Sequence, residues 1–145
     1  MTNLEIARRI IDDVRALGVA DFCVCSGSRN APLIAVVGDA FSFVDERSAG
    51  FFAIGRARRD DRPVAVITTS GTAAAELLPA AVEAYYSGTP IVLITADRPA
   101  RYRGTGAPQA IEQESLFGVY AARSIEAWNR RMPLHINVEF DEPLL

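Results

Sequence analysis

The stretch from Val64 to Thr95, VAVITTSGTAAAELLPAAVEAYYSGTPIVLIT, decides the fold class of this chain. It begins with Val64–Thr68 and ends with Ile91–Thr95, two short runs that are apolar on both faces, as fully buried parallel strands are. Between them, an alanine-rich segment from Thr72 to about Tyr86 has helical composition, and Gly88 follows it as a stop signal. A strand, a helix and a second strand in this order predict a β-α-β unit.

The same alternation of strands and helices extends along the rest of the chain. Further strands are predicted at 22–25, 41–44 and 134–138, and further helices at 2–17, from 31 onward, at 47–58 and within 107–117. We therefore predict that residues 1–145 form a single α/β domain. Its sheet should be doubly wound and mostly parallel, with helices on both faces.

Composition and charge exclude several classes of function. Half of the 145 residues are hydrophobic, 23% are charged and the net charge is −3, which is not the charge pattern of a nucleic-acid-binding protein. No apolar run is long enough to span a bilayer, and the first residues do not resemble a signal peptide, so we expect a cytoplasmic protein. Cys23 and Cys25, with a single histidine, cannot complete a zinc site, and we expect buried, reduced thiols.

Polar or glycine residues follow four of the predicted strands, at the point where each strand ends. Because the carboxyl ends of parallel strands meet at one edge of a sheet, these residues should lie together and form a ligand site. The four segments are Ser26-Gly27-Ser28-Arg29, Glu46-Arg47, Ser70-Gly71-Thr72 and Asp97-Arg98.

Glu46 is the strongest candidate for a catalytic group. It ends a β-type run, precedes a predicted helix, and has four phenylalanines close to it in the sequence. A carboxyl group among apolar side chains can take up and release a proton near neutral pH. The alternative is a solvated Asp45-Glu46 pair that stabilises the first turn of the helix. The four phenylalanines are Phe41, Phe43, Phe51 and Phe52.

Familiar catalytic motifs are missing from these turns. Ser28 and Ser70 do not lie in a G-x-S-x-G elbow, and His135 falls in the middle of a predicted strand, where a packed histidine is the usual case. The pair Gly104 and Gly106 has no third glycine for a dinucleotide fingerprint, and no Walker lysine follows Gly71.

Arginine and amide side chains near the strand ends suit a ligand with carboxylate groups. Arg29 and Arg98 directly follow strands, and a guanidinium fork binds a carboxylate well. We interpret Arg101 and Arg103 as surface arginines on a long loop. Gln109 could add an amide contact.

Five ordered motifs resemble one enzyme family. Together they are similar to the N-terminal, pyrimidine-binding domain of the thiamine-diphosphate-dependent 2-succinyl-5-enolpyruvyl-6-hydroxy-3-cyclohexene-1-carboxylate synthases of menaquinone biosynthesis. The likeness extends from Ile6 to Leu145. The motifs are Ser26–Leu33, Asp45–Phe52, Thr69–Ala74, Thr95–Pro99 and Gly106–Ile111.

The resemblance implies a cofactor, two substrates and a role for each candidate residue. Family members decarboxylate 2-oxoglutarate and add the succinyl-semialdehyde unit to isochorismate. Glu46 would share a proton with the aminopyrimidine ring of thiamine diphosphate and so activate it. The turn Ser70-Gly71-Thr72 would pack against that ring. The isochorismate pocket would be lined by Ser28, Arg29, Arg98 and Gln109.

The resemblance also implies what this chain does not contain. Family members hold the diphosphate through Mg²⁺ in another domain marked by Gly-Asp-Gly, and Gly38-Asp39-Ala40 is not that motif. We therefore expect no metal ligands here, and we expect the central and diphosphate-binding domains to be absent from this chain. The chain would be inactive alone and would pair with a second copy or with the missing domain. The alternative is a non-catalytic carboxylate-binding or assembly module of the same fold.

Three positions depart from the family pattern. Ser26 replaces a proline, Pro108 replaces an asparagine, and the segment Gly118–Met132 is shorter than the strand and crossover helix that the family has there. Either that helix is absent or residues are missing from the sequence at this point. We favour missing residues, and an intact mass of 15.7 kDa would rule this out.

Overall fold

The computed structural model describes all 145 residues and has one sheet of five parallel strands in the order β2-β1-β3-β4-β5. The strands are β1 (Phe22–Cys25), β2 (Phe41–Phe43), β3 (Val64–Thr68), β4 (Ile91–Asp97) and β5 (Leu134–Glu139). The helices are α1 (Asn3–Ala16), α2 (Ala31–Val37), α3 (Glu46–Asp60), α4 (Thr72–Ala75) and α5 (Leu78–Ser87). The predicted β-α-β unit is confirmed, because β3 pairs with β4 in parallel from Val64↔Ile91 to Thr68↔Thr95.

Helices cover both faces of the sheet, as predicted. Successive side chains of a strand point to opposite faces, and both faces of β3 are buried. Ala65 and Ile67 belong to the hydrophobic cluster that includes residues of α1 and α2. Val64 and Val66 belong to a second cluster with residues of α3 and α5. The sheet is therefore doubly wound, with a core on each side.

A glycine sets the spacing between α3 and α5. A Cβ atom at Gly50 would lie 2.7 Å from the Cβ of Ala80, closer than side-chain carbons approach one another. The missing side chain lets α3 and α5 pack closely over the sheet.

The alanine-rich segment after β3 forms two helices, so the prediction of one continuous helix was wrong. The break falls at Glu76 and Leu77, between α4 and α5, where Leu77 N donates a hydrogen bond to Ala74 O, three residues back rather than four. Pro79 explains the break, because it has no N–H to donate and its ring would clash with the carbonyl of Ala75 in a continuous helix.

The connection from β4 to β5 contains no α-helix, and the prediction of a short helix within 107–117 was wrong. Its only regular elements are single 3₁₀ turns at Ala100–Tyr102 and Gly118–Tyr120. Positive φ angles of 78° at Gly106 and 54° at Gln109 are incompatible with a right-handed helix there. Ala122, which belongs to none of the five strands, forms an isolated parallel bridge with Leu134 at the start of β5.

The cysteines and the helices agree with what composition predicted. Cys23 and Cys25 are free and buried in β1, as predicted. None of the helices combines the length and the apolar character that crossing a bilayer requires.

Candidate functional site

The turns that follow β1 and β3 are in direct contact at the carboxyl edge of the sheet. A Cβ atom at Gly27 would lie 2.5 Å from the Cβ of Thr69, so only glycine fits between the two turns. Asn30 holds the first turn in place. Its side chain accepts a hydrogen bond from Gly27 N at 3.0 Å and donates one to Cys25 O at 2.8 Å.

The turn after β3 also contacts the long loop that follows β4. Gly71 has a φ of 75°, and a Cβ atom there would lie 2.8 Å from the Cα of Gln109. The Gln109 side chain donates a hydrogen bond from Nε2 to Ser70 O at 3.1 Å. The structure therefore brings Gln109 into contact with Ser70 and Gly71, from which it is distant in the sequence.

A buried glutamine that the sequence analysis did not identify joins the same turn to the sheet. Gln113 Oε1 accepts a hydrogen bond from Gly71 N at 2.7 Å. Gln113 Nε2 donates to Ala96 O at 3.1 Å and to Asn137 Oδ1 at 2.9 Å. Gln113 stands between two glutamates in a loop, and nothing in the local sequence marks it as buried.

Asp97, at the end of β4, is the buried centre of an ion-pair cluster. Its Oδ2 accepts hydrogen bonds from Arg103 Nη2 at 3.1 Å and from Asn137 Nδ2 at 2.9 Å. Arg103 Nη2 also donates to the Glu139 carboxylate at 3.0 Å. The interpretation of Arg103 as a surface arginine was therefore wrong. Arg101 is on the surface as expected, in an exposed pair with Asp141.

The adjacent carboxylates Asp45 and Glu46 have different surroundings. Asp45 is the N-cap of α3, and its Oδ2 accepts hydrogen bonds from Ser48 N at 2.9 Å and from Ser48 Oγ at 2.7 Å. These bonds lower the pKa of Asp45. Glu46 is half-buried, and its carboxylate takes part in no hydrogen bond or ion pair of the chain. Asp45 thus stabilises the N-terminus of α3, while the Glu46 carboxylate remains free to interact with a ligand.

The aromatic rings of β2 and α3 pack against one another but stay partly exposed. The Phe52 ring packs against Phe41 and Phe43, with centroid distances of 5.1 Å to each. Phe41, Phe51 and Phe52 remain 37%, 44% and 37% exposed. The apolar surroundings predicted for Glu46 are therefore an open aromatic patch in this chain.

The thiol of Cys25 lies close to the same carboxylates. Burial raises the pKa of Cys25 to about 12, and the negative charges of Glu46 and Asp45 act in the same direction. The thiol therefore stays protonated at neutral pH, which excludes it as a nucleophile.

The two candidate arginines contact different segments. Arg98 donates a hydrogen bond from Nε to Pro108 O at 2.8 Å, and neither of its terminal nitrogens has a partner in the chain. Arg29 is buried; its Nη1 donates to Phe140 O at 2.9 Å and its Nη2 pairs with Glu142 at 3.0 Å. Ser28 is exposed on the turn beside Arg29. Arg98 is therefore free to bind a ligand, whereas Arg29 holds the segment after β5.

His135 is a packed strand residue, as predicted. Its Nε2 lies 2.7 Å from Thr95 Oγ1, and the Phe117 ring meets its ring edge-on at a centroid distance of 4.6 Å. Burial lowers the pKa of His135 to about 4. No group of three or more histidine, cysteine, aspartate and glutamate side chains lies together as a metal site would require.

Comparison with known families identifies the domain type. Residues 4–116 match the family model described as thiamine pyrophosphate enzyme, N-terminal TPP binding domain. The chain belongs to this family. Glu46 and the turns that follow β1, β3 and β4 all lie within the matched residues.

Two curated proteins that are similar to this TPP-binding domain have the same name. The chain is 47% identical over 161 residues to 2-succinyl-5-enolpyruvyl-6-hydroxy-3-cyclohexene-1-carboxylate synthase of Bdellovibrio bacteriovorus, covering 100% of this chain and 31% of that protein. It is 50% identical over 143 residues to the synthase of Akkermansia muciniphila, covering 87% of this chain and 27% of that protein. The chain therefore spans less than a third of the length of these curated relatives.

The alignment with the Bdellovibrio protein is longer than this chain. It extends over 161 positions, whereas the chain has 145 residues, so the Bdellovibrio protein has at least 16 residues without a counterpart here (161 less 145).

A solved structure supports the fold. The chain superposes on the thiamine diphosphate-dependent 4-hydroxybenzoylformate decarboxylase of Rhodococcus jostii with a TM-score of 0.78 and 14% sequence identity, covering 96% of this chain and 30% of that one. At this level of identity the likeness concerns the arrangement of the TPP-binding domain alone.

Proposed function

We propose that this chain is the pyrimidine-binding part of a synthase that decarboxylates 2-oxoglutarate and adds the succinyl-semialdehyde unit to isochorismate in menaquinone biosynthesis. The 47% identity to a synthase of that name over the whole chain carries the proposal. The structure adds a second argument: the Glu46 carboxylate is half-buried and has no partner in the chain.

The residues at the sheet edge fit an aminopyrimidine ring. The Gly71 backbone packs directly on Gln109, which leaves no room for a side chain, and the turn Ser70-Gly71-Thr72 is exposed at Thr72. Glu46, at the N-terminus of α3, would share a proton with a ring nitrogen placed against it. Thiamine diphosphate, when bound, supplies the carbanion chemistry that decarboxylation and carbon–carbon bond formation need. The chain contributes placement of the ring and control of one proton.

Arginine and polar side chains on neighbouring turns would receive isochorismate, which carries two carboxylates. Arg98 has two terminal nitrogens free for a bidentate contact. Ser28 and Gln109 would add a hydroxyl and an amide group. Arg29 would contribute through the guanidinium donors that Phe140 and Glu142 do not use.

Further parts of the assembly lie outside these residues. We propose that Mg²⁺ and the diphosphate are held by a domain beyond this chain, since no metal-ligand cluster is present in it. A second copy of the chain, or that domain, would cover the aromatic patch of Phe41, Phe51 and Phe52. A cytoplasmic location fits the two free thiols, which a reducing compartment preserves.

A paired activity assay tests the proposal. The full-length protein containing this chain is supplied with thiamine diphosphate, Mg²⁺, 2-oxoglutarate and isochorismate, and the wild type is compared with Glu46→Gln. We expect product from the wild type and a loss of at least about 100-fold in kcat for the variant, because general acid–base catalysis contributes 10²–10⁴-fold.

Glu83→Gln is the matched control, because Glu83 is an exposed residue of α5 away from the sheet edge. It should leave turnover unchanged. Equal turnover in wild type and Glu46→Gln would overturn the role of Glu46. No turnover in any of the three proteins would favour a carboxylate-binding or assembly module of the same fold.

A further inference from the structure

Gln113 uses its whole side-chain amide to join three elements. Its Oε1 accepts from Gly71 N, and its Nε2 donates to Ala96 O in β4 and to Asn137 in β5. The residue is 0% exposed, so water cannot replace any of these partners. The turn after β3 is therefore tied to the two neighbouring strands through one side chain.

The Gly71 N–H depends on this contact. Gly71 is buried and stands at the start of α4, a helix of only four residues whose first N–H groups have no partner within the helix. A buried N–H without an acceptor costs about 1–3 kcal/mol. Without Gln113, the turn would therefore shift until Gly71 N found another acceptor or reached water.

Such a shift has little room. Gly71 already packs on the Gln109 backbone, with only 2.8 Å between its hypothetical Cβ and Gln109 Cα. On the other side, Thr69 packs on Gly27. A movement of the turn would consequently displace both neighbouring loops at the sheet edge.

We infer that Gln113 is a positioning residue, which holds the Ser70-Gly71-Thr72 turn at the height over the sheet that the pyrimidine ring of the cofactor requires. This inference rests on the proposed function, because it assigns the ring to that turn. Gln113 itself does not touch the cofactor; it acts through the Gly71 backbone.

The experiment compares two variants of the full-length protein containing this chain. Gln113→Met keeps a similar volume and removes all three hydrogen bonds. Asn137→Ala is the matched control, because it damages the same buried network but leaves the bond between Gly71 and Gln113 intact. Isothermal titration calorimetry with thiamine diphosphate and Mg²⁺ gives the dissociation constant of each protein. We expect binding about ten-fold weaker for Gln113→Met, the loss that corresponds to one hydrogen bond, and within about two-fold of wild type for Asn137→Ala.

Hydrogen exchange without cofactor gives a second readout. In the peptide that contains Gly71, Gln113→Met should exchange one amide faster than wild type, and Asn137→Ala should not. If Gln113→Met fails to fold, the shorter Gln113→Asn, which cannot reach all three partners, replaces it with the same expectations.

The outcomes separate the two proposals. Wild-type affinity in the Gln113 variant, or equal weakening in both variants, would overturn the positioning role. Unchanged exchange at Gly71 would overturn it as well. A wild-type protein that does not bind thiamine diphosphate would overturn the proposed function and with it the role of Gln113 toward the ring, while the exchange data would still decide whether Gln113 holds the turn.

Discussion

The Arg103 guanidinium pairs with the Asp97 carboxylate at 3.1 Å and closes the loop that follows β4 onto the sheet. Asp97 is 1% exposed and has only Asn137 as a further partner. The loop therefore supplies the cation that compensates the buried negative charge of Asp97.

Arg103→Ala should destabilise the domain strongly. Removing one partner of a buried ion pair leaves the other charge uncompensated, and we expect a loss of about 3 kcal/mol in the free energy of unfolding. Urea denaturation of the chain measures it. Arg101→Ala is the control, since Arg101 pairs with Asp141 in the solvent and should change stability little. Equal effects of the two substitutions would contradict the structural role of Arg103.

Two glycines of α3 should respond to alanine in opposite ways. Gly50→Ala places a carbon 2.7 Å from Ala80 Cβ, so α3 and α5 must separate, at a cost of about 1–3 kcal/mol. Gly55 has nothing within 4 Å of its hypothetical Cβ, and Gly55→Ala should stabilise the helix by about 0.5–1 kcal/mol. Thermal unfolding of both variants tests the pair. A rise in stability for Gly50→Ala would refute the close contact.

Protonation of His135 in acid should lower the free energy of unfolding. Its pKa is lowered to about 4 from the ordinary 6.5 by burial, so between these pH values the unfolded chain binds more protons than the folded one. Stability therefore falls as the pH decreases from 6.5 toward 4, by an amount on the order of 3 kcal/mol.

The check is urea denaturation at pH 7 and pH 4.5 of wild type and His135→Gln, which has no titrating ring. The difference between the two proteins removes the contribution of the carboxylates. An equal loss of stability in both at pH 4.5 would exclude His135 as the cause.

Arg98→Ala should selectively weaken the binding of isochorismate, the second substrate of the proposed reaction. Loss of a charge-assisted contact corresponds to a rise of about ten-fold or more in KM for isochorismate. Release of carbon dioxide from 2-oxoglutarate alone should continue at the wild-type rate in the full-length protein. Arg98→Lys should rescue only in part, because an ammonium group cannot form the bidentate fork. A variant that loses both half-reactions equally would assign Arg98 to the scaffold.

The aromatic patch beside Glu46 should drive self-association. Phe41, Phe51 and Phe52 are each more than a third exposed, which an apolar contact with a second copy would relieve. Sedimentation of the chain should show a concentration-dependent dimer that persists at high salt, because buried apolar contacts are not screened. Monomers at high concentration, or dissociation by salt, would argue against this surface.

Local sequence patterns predicted the sheet and both of its helical faces. The two central strands carry apolar residues on both faces, and such runs are stable between two layers of helices. Asp45 and Glu46 were placed correctly at a strand-to-helix junction for the same local reason. The break between α4 and α5 was not predicted, although Pro79 marks it in the sequence, because the alanine-rich residues around Pro79 favour a continuous helix.

Only the tertiary structure decided which polar side chains hold the sheet edge together. Gln113 and Gly71 are 42 positions apart, and Arg29 and Phe140 are 111 apart, so no periodicity links either pair. Their contacts depend on the order of strands in the sheet and on a loop without regular structure. The sequence alone determined the fold class and the positions of the polar turns at the carboxyl ends of the strands, since hydrophobic patterning acts locally. The partners of Gln113, Arg103 and Arg29 could be found only in the folded chain, because polar groups that folding buries must be hydrogen-bonded by whichever residues lie next to them.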